Sequence, residues 1–549
     1  MEAAQRCDRN RSCQWTYTVV PNSVKAHVSG GSSTVILYHV DAEYNDKLDA
    51  RSPPSVSQTC VKCKSDSAAL LVRAGDAFCR GCFRDYFVHK FRAMLGKNRL
   101  IFPGEKVLLA VSGGSSSCSM LAQVQQGLSK DAPKKLRFFP GIVHVDEGGV
   151  TGQSAEERRR TVAQLESIFR ATGFRFYIVP LEEVFCLPGH VLGASCAPPP
   201  GSQGDYKAAV DRFIQSTRVG GGSAPSRQGQ EEDSSVREAQ NLLCQLDTED
   251  PPSGTLTVDP QLTGALQKLF NSVKSLTAKD DLLLTLRQHL VVHTARTQGY
   301  SMVMMGDSCS RLAVKLLSNI CQGRGASLAT DTGFCDCRYG DVGIVRPMRD
   351  YSSKEIAFYN RMFGVPSLFI PGLDTKSPDK ASIQRLAESF VTRLQADFPS
   401  TVSTIYRTSE KLQTAGGSRS ADAEPTAKCL LCLCALDTRQ AEASAFHATL
   451  VSEKLSQKRT PESCPADRPP DGQSCASAGG RCCSSRSPTP TDLKSLLCYS
   501  CRLTVQDMTA TEFLPPYIVS EAERRMRRSQ MEEEIAEFLL PEDDTEEVA

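Results

Sequence analysis

Residues 104–121 read GEKVLLAVSGGSSSCSML. An apolar run with little polar interruption reads as a buried strand, Ser112-Gly113-Gly114 as a tight turn, and the residues from Ser119 to Gln125 as the opening of a helix. A second run, FFPGIVHVD (138–146), and a third, FRFYIVPL (174–181), follow at helix-length spacing. Between them Ser154-Ala155-Glu156-Glu157 forms a capping box, opening a helix with Val162, Leu165 and Phe169 inward. Strands alternating with helices of this length predict an α/β fold with a doubly wound parallel sheet.

The pattern stops and resumes. Pro198-Pro199-Pro200 and the Gly/Ser-rich stretch 219–235 predict a disordered insertion over about 198–258. Beyond Leu262, residues 282–295 read as a helix, YSMVMMGDS (300–308) as a buried strand and residues 311–322 as the next helix. Ile383, Leu386, Phe390 and Leu394 read as the apolar face of a later helix. TVILYHV (34–40) reads as a strand and residues 51–55 as a linker, while 415–490 is again Ser/Pro/Gly-rich and the acidic end from Glu532 reads as a solvated tail or short helix. The expected organisation is an N-terminal extension (1–58), a Cys-rich segment with a basic helix (59–100), the α/β domain (101–410) and a C-terminal Cys-rich segment (411–549).

Composition narrows the class. The 549 residues carry 64 Lys+Arg against 63 Asp+Glu, so a nucleic-acid partner must be met by local patches. Membrane association is not expected, because no run approaches 18 apolar residues. The charged start, MEAAQRCDRNRSC, lacks the apolar core of a secretory signal. An intracellular, reducing compartment follows as an expectation, and there the 23 cysteines point to metal rather than disulfides.

Cys60-x2-Cys63 is followed after fifteen residues by Cys79-x2-Cys82. Two such thiolate pairs close a tetrahedron around Zn²⁺ and leave no open position, so the site is structural. Cys429-x2-Cys432 and Cys498-x2-Cys501 form a second candidate set across a long insert. Closure entropy grows only with the logarithm of loop length, so the insert adds little cost. In the Ser112–Ser117 turn the glycines let backbone approach a phosphate, and a helix N-terminus favours its charge. A simple tight turn satisfies the same residues, and the GxxxxGK[ST] pattern is absent. His144 and Asp146 end the second strand at the ligand edge expected of such a sheet. His144 reads as a nucleotide contact or a packed histidine, and Asp146/Glu147 as a ribose or metal site or a helix-approach turn.

AVSGGSSS resembles the SGGxDS loop of ATP pyrophosphatases of the PP-loop, or adenine nucleotide α-hydrolase-like, superfamily. Four cysteines precede the loop, HVDEG (144–148) follows the second strand, GDSCSRLAVKLLSNICQG (306–323) the later one, then VRPMRDYSSKEIAFYN (345–360), with paired cysteines closing the chain. This set resembles the cytoplasmic tRNA 2-thiolation protein 2 family, over about 59–410 and the terminal CxxC pairs. The resemblance implies a subunit of a cytoplasmic complex that 2-thiolates the wobble uridine of tRNA(Lys), tRNA(Glu) and tRNA(Gln). It implies a heterodimer with a catalytic PP-loop homologue, ATP as the activating nucleotide, and a thiocarboxylated ubiquitin-related modifier as sulfur donor.

Carried over residue by residue, Ser112, Gly113, Gly114 and Ser117 match the nucleotide loop, but Ser116 stands where active members have Asp. Residues 278–295 lack the CxxC of the catalytic partner's family, and Asp307-Ser308-Cys309-Ser310-Arg311 replaces its acidic loop. These departures imply a non-catalytic or auxiliary subunit. The alternatives are a self-sufficient ATP pyrophosphatase and a zinc-binding scaffold without nucleotide. Cys309, at a predicted strand end near a helix start, has the placement of a lowered thiol pKa. It reads as an ordinary cysteine nonetheless, as do Cys321, Cys335 and Cys337. With tRNA as the implied substrate, Arg84, Lys90, Arg92 and Lys97, together with Arg73, Arg80 and Arg99, form a positive strip for its backbone, the alternative being a solvated face over Phe83, Phe87, Phe91 and Met94.

Overall fold

Lys106–Ala110, the apolar run ahead of the Ser/Gly turn, forms a central strand (β1) of a six-stranded sheet in the computed structural model. The structure describes residues 15–20, 23–28, 59–72, 76–129, 132, 135–193, 206–207, 209–210, 213, 258–375, 377–409, 411, 427–436 and 493–536. The expected strand at 34–40, the linker at 51–55, Arg73, most of both inserts and the tail beyond 536 lie outside the described residues.

The remaining strands are β2 (Phe139–Asp146), β3 (Arg175–Pro180), β4 (Met302–Met305), β5 (Cys335–Asp336) and β6 (Gly343–Val345). Their order is β3-β2-β1-β4-β6-β5, with all neighbours parallel except the edge pair β6–β5. Val107, Leu108 and Leu109 are fully buried, as expected of a strand covered on both faces. The order reverses between β1 and β4, so the turn after β1 and the residues after β4 meet at the crevice where such sheets take ligands.

The helices comprise those expected from the sequence and others for which it carried no expectation. They are α1 (Arg80–Asn98), α2 (Ser115–Leu128), α3 (Ala155–Arg170), α4 (Pro260–Ser272), α5 (Leu276–Thr297), α6 (Cys309–Cys321), α7 (Ser353–Phe363), α8 (Ile383–Asp397), α9 (Pro399–Ser409), α10 (Tyr499–Gln506) and α11 (Pro516–Ala536). The Ser154/Glu157 capping box is present at α3, and Ser352/Glu355 makes a second at α7. The α8 face differs from its expectation. Leu386 and Phe390 are about half exposed, at 52% and 53%, while Ala387 and Val391 carry the buried stripe. The periodicity of the large side chains pointed one residue away from the small ones that pack.

The chain divides into two units, Met1–Phe83 with Phe390–Thr401 and Arg84–Ser389 with Val402–Ala549. The first contains two small antiparallel pairs, Trp15–Val20 with Ser23–Val28 and Leu70–Leu71 with Ala77–Phe78. The second contains the sheet. One hydrophobic cluster there joins Leu108, Val143 and Ile344 of the sheet, Leu282, Leu286 and Leu290 of α5, Leu430, Leu431 and Leu433 of the C-terminal Cys-rich segment, and Ile518 of α11. The C-terminal cysteines are thus built into the α/β core.

His289 fastens that joint. It is buried on α5, with Nε2 2.8 Å from the Leu431 carbonyl and Nδ1 2.6 Å from the Tyr517 hydroxyl. Nε2–H therefore donates and Nδ1 accepts, which is the neutral ring. Burial pushes its pKa from 6.5 down to about 4. Below pH 6.5 the unfolded chain takes a proton that the native ring refuses, so this group lowers stability as pH falls, by up to about 1.4 kcal/mol per pH unit down to the folded pKa. Urea unfolding at pH 7.0 and 5.5 should show this slope, and His289→Gln should flatten it.

Candidate functional sites: a serine-rich loop and two four-cysteine centres

The β1 turn takes its shape from Gly113, whose φ of +85° suits glycine. A Cβ on Gly113 would lie 2.9 Å from Leu165 Cδ2 and 3.0 Å from Ile370 Cδ1. Gly114 is the N-cap of α2, so Ser115, Ser116 and Ser117 form its first turn, where amides lack intrahelical partners. That is the geometry of an anion cradle. The side chains, however, are turned to the protein itself. The Ser116 hydroxyl donates to the Gly306 carbonyl after β4, and Ser117 Oγ lies 3.2 Å from Ser112 Oγ and donates to the Gly114 carbonyl at 3.1 Å. Leu368 N–H donates to the Gly113 carbonyl and Asn360 Nδ2 to the Ser115 carbonyl, both at 2.8 Å. A Cβ on Gly306 would meet Ser117 Cα at 2.8 Å, so the two crevice walls touch through backbone.

His144 and Asp146 are buried and committed. His144 Nδ1 lies 2.9 Å from the Val111 carbonyl, tying β2 to the residue after β1, and burial lowers its pKa. One Asp146 oxygen accepts Gly148 N–H at 2.9 Å and the other accepts Arg158 Nε at 2.8 Å. Arg158 continues into Glu182 through two bonds of 2.7 and 3.0 Å. Glu147 pairs with Arg287 of α5. The helix-approach reading of Asp146/Glu147 is the one the geometry favours, because both carboxylates are occupied by arginines. Sequence reasoning missed Arg158, although a signal existed: it occupies a core-facing turn of the stripe completed by Val162, Leu165 and Phe169.

The cysteines come together as spaced. Cys60, Cys63, Cys79 and Cys82 form one group, and Cys429, Cys432, Cys498 and Cys501 another, with the sulfurs of each group all within 4.8 Å of one another. The two centres share one construction. In each, the residue after the first CxxC is left-handed, Lys64 at φ 58° and Leu433 at φ 57°, and its N–H returns to the first cysteine's carbonyl. In each, the second CxxC straddles a helix start: Cys79 precedes α1 and Cys498 caps α10. Backbone N–H groups aim at sulfur, Cys82 N at Cys79 Sγ (3.5 Å) and Cys498 N at Cys429 Sγ (3.3 Å). Burial raises the Cys60 pKa, but backbone donors around Cys63, Cys79 and Lys62 outweigh it and bring it down to about 6. Such donor sets suit a metal ion.

The same chain has relatives among known proteins. A family model described as Cytoplasmic tRNA 2-thiolation protein 2 matches residues 382–503. A protein of that name from Danio rerio is 60% identical over 92% of this chain and 100% of its own length. One from Homo sapiens is 49% identical over 93% and 99%. This chain belongs to the cytoplasmic tRNA 2-thiolation protein 2 family. Among solved structures, a U34-tRNA thiolase, NcsA from Methanococcus maripaludis with its [4Fe-4S] cluster, aligns over 67% of this chain and 95% of its own at 14% identity, with a TM-score of 0.40.

The basic strip and the remaining cysteines of this family member meet different fates. Arg84 and Lys97 of α1 are exposed and Arg92 is half-buried. Lys90 leaves the strip: its ammonium is 2.8 Å from the buried Glu355 and over the Tyr351 ring. A lysine on the helix flank reaches inward because Phe87, stacked on Tyr359 with ring centroids 4.0 Å apart, brings that flank against α7. Cys309 opens α6 as expected, yet burial pushes its thiol up to about 11, reversing the lowering expected of a helix start. Cys321 is exposed, and the Cys335 and Cys337 sulfurs lie 3.2 Å apart.

Proposed function

We propose that this chain acts in cytoplasmic 2-thiolation of the wobble uridine of tRNA(Lys), tRNA(Glu) and tRNA(Gln) as a non-catalytic subunit. Its fold is of the PP-loop type, and its partner is a catalytic PP-loop homologue that activates the uridine with ATP. The sulfur comes from a thiocarboxylated ubiquitin-related modifier. The observation that carries the reading is Ser116. It stands at the acidic position of the loop and spends its hydroxyl on the Gly306 backbone, so the loop offers the fold without the carboxylate. The absence of cysteine from α5 supports the same reading.

Both four-cysteine sets hold structural zinc in this proposal. A Zn–S bond of about 2.3 Å gives a tetrahedral edge of about 3.8 Å. The Cys63–Cys79 and Cys432–Cys498 separations of 3.9 and 3.6 Å suit one ion.

Purified partner, tRNA, ATP and sulfur donor, with and without this chain, test the function. Thiolation should require the chain, and full-rate thiolation without it would defeat the proposal. ATP–pyrophosphate exchange by the isolated chain would instead favour the self-sufficient enzyme.

The tRNA surface is the exposed side of α1. Neutralising Arg84, Arg92 and Lys97 to Gln should weaken tRNA binding by the complex and reduce its salt slope by about one unit for each phosphate left without its cation. Lys90→Ala should leave that slope unchanged while destabilising the chain, since it strands Glu355. An unaltered slope in the triple variant would remove α1 from the interface.

A further inference from the structure

A fifth cysteine, Cys434, borders the same cleft as Cys432 and Cys498 of the C-terminal centre. Cys434 follows Cys432 by two residues, and the left-handed Leu433 between them folds the chain back, so that Cys429 N–H reaches the Cys434 carbonyl at 2.8 Å. The bridge between Lys428 and Ala435 closes this loop. Cys434 and Cys432 also share a neighbour, because Arg338 Nη1 reaches the Cys432 carbonyl at 3.3 Å. Arg338 holds the Cys434 thiol as well, with Nη1 2.8 Å from Cys434 Sγ and Nε bound to Asp336 at 2.9 Å.

The N-terminal centre supplies an internal comparison. The position two residues after Cys63 is Ser65. Where one centre has a hydroxyl at that position, the other has another metal-binding group. The cleft on that side of the C-terminal centre has a volume of about 30 Å³ and is lined by Cys432, Cys434, Cys498, Arg324 and Arg338 among others. Such a volume holds about two waters, which leaves room for one sulfur to move aside.

We propose that Cys434 is a reserve ligand of the C-terminal metal centre, positioned to take the place of Cys432. The inference rests on the reading that Cys429, Cys432, Cys498 and Cys501 hold an ion. The exchange is a ligand substitution: the Cys432 sulfur–metal bond breaks, the Cys434 sulfur–metal bond forms, and the proton leaving the Cys434 thiol passes to Cys432 or water. No redox change occurs. A centre built this way keeps its ion when Cys432 is alkylated or oxidised, and the N-terminal centre does not.

Metal content of the purified full-length chain tests this by variant. Cys429→Ser should lose about one ion per chain, and so should Cys63→Ser, because a serine neighbour cannot replace a thiolate. Cys432→Ser should keep its ion, Cys434→Ser should keep it too, and the Cys432/Cys434 double variant should lose it. Loss from Cys432→Ser equal to that from Cys429→Ser overturns the proposal, as does loss from Cys434→Ser alone, which would make Cys434 a primary ligand. No loss from Cys429→Ser would instead refute the underlying metal reading. A second measurement needs no variant. Limited iodoacetamide treatment of the wild-type chain, followed by native mass spectrometry and peptide mapping, should find molecules alkylated at Cys432 with the ion retained. If such molecules have lost it, no exchange takes place.

Discussion

Cys429→Ser should abolish cooperative folding of the α/β body, whereas Cys60→Ser should unfold only residues 59–82. With zinc at both centres each variant loses about one ion, and the apparent binding free energy of a structural zinc site, about 10–16 kcal/mol, rivals the whole stability of a domain, about 5–15 kcal/mol. The difference lies in what each centre carries. Leu430, Leu431 and Leu433 stand in the same cluster as Leu108 of β1 and Leu286 of α5, and the Leu431 carbonyl receives the buried His289. Removing the ion at that centre releases three core leucines and leaves a buried N–H unpaired, an added cost of about 1–3 kcal/mol. Metal analysis with hydrogen exchange over β1 to β4 checks this. Wild-type protection of those strands in metal-depleted Cys429→Ser would show that the C-terminal segment merely decorates the sheet.

The sheet was legible because β1 and the middle of β2 are buried and the strands appear as largely apolar runs, with β1, β2 and β3 placed within a residue or two. The cysteine pairs were legible because CxxC spacing is itself a geometric instruction, and each recovered pair sits on a turn or at a helix start. What the sequence concealed was the fate of charged groups. Asp146 and Lys90 occupy positions that suit ligand contact, yet each is satisfied by a side chain of another element, Asp146 by Arg158 of α3 and Lys90 by Glu355 of α7. Pairing of that kind depends on which helix packs where: the stripe of α3 marks Arg158 as core-facing, but it does not name the partner. The α8 face failed for a related reason: hydrophobic periodicity weights large residues, while close approach favours small ones such as Ala387.

Arg158→Met should destabilise the chain by about 3–5 kcal/mol at pH 7, the range for removing one partner of a buried ion pair. The Arg158 guanidinium lies between Asp146 and Glu182, whose side chains are 8% and 1% exposed. Methionine fills most of the space but leaves two buried carboxylates facing each other. Those groups then gain from protonation in the folded variant more than in its unfolded chain, so the deficit should shrink as pH is lowered. Asp146→Asn and Glu182→Gln added to Arg158→Met should recover part of the loss, because no charge is then stranded. Urea unfolding of the single and triple variants at pH 7.0 and 5.5 provides the measurement. A ligand-binding role for Asp146 makes the opposite forecast: its carboxylate would be needed by a bound group, Arg158→Met would change binding more than stability, and the deficit would be small at either pH. A large, pH-dependent deficit repaired by neutralising the carboxylates would mean that the second strand's acidic end is a structural joint. The Ser116 hydroxyl bound to Gly306 closes the other side of the crevice in the same manner, with polar groups at the ligand edge of the sheet turned inward to hold it together.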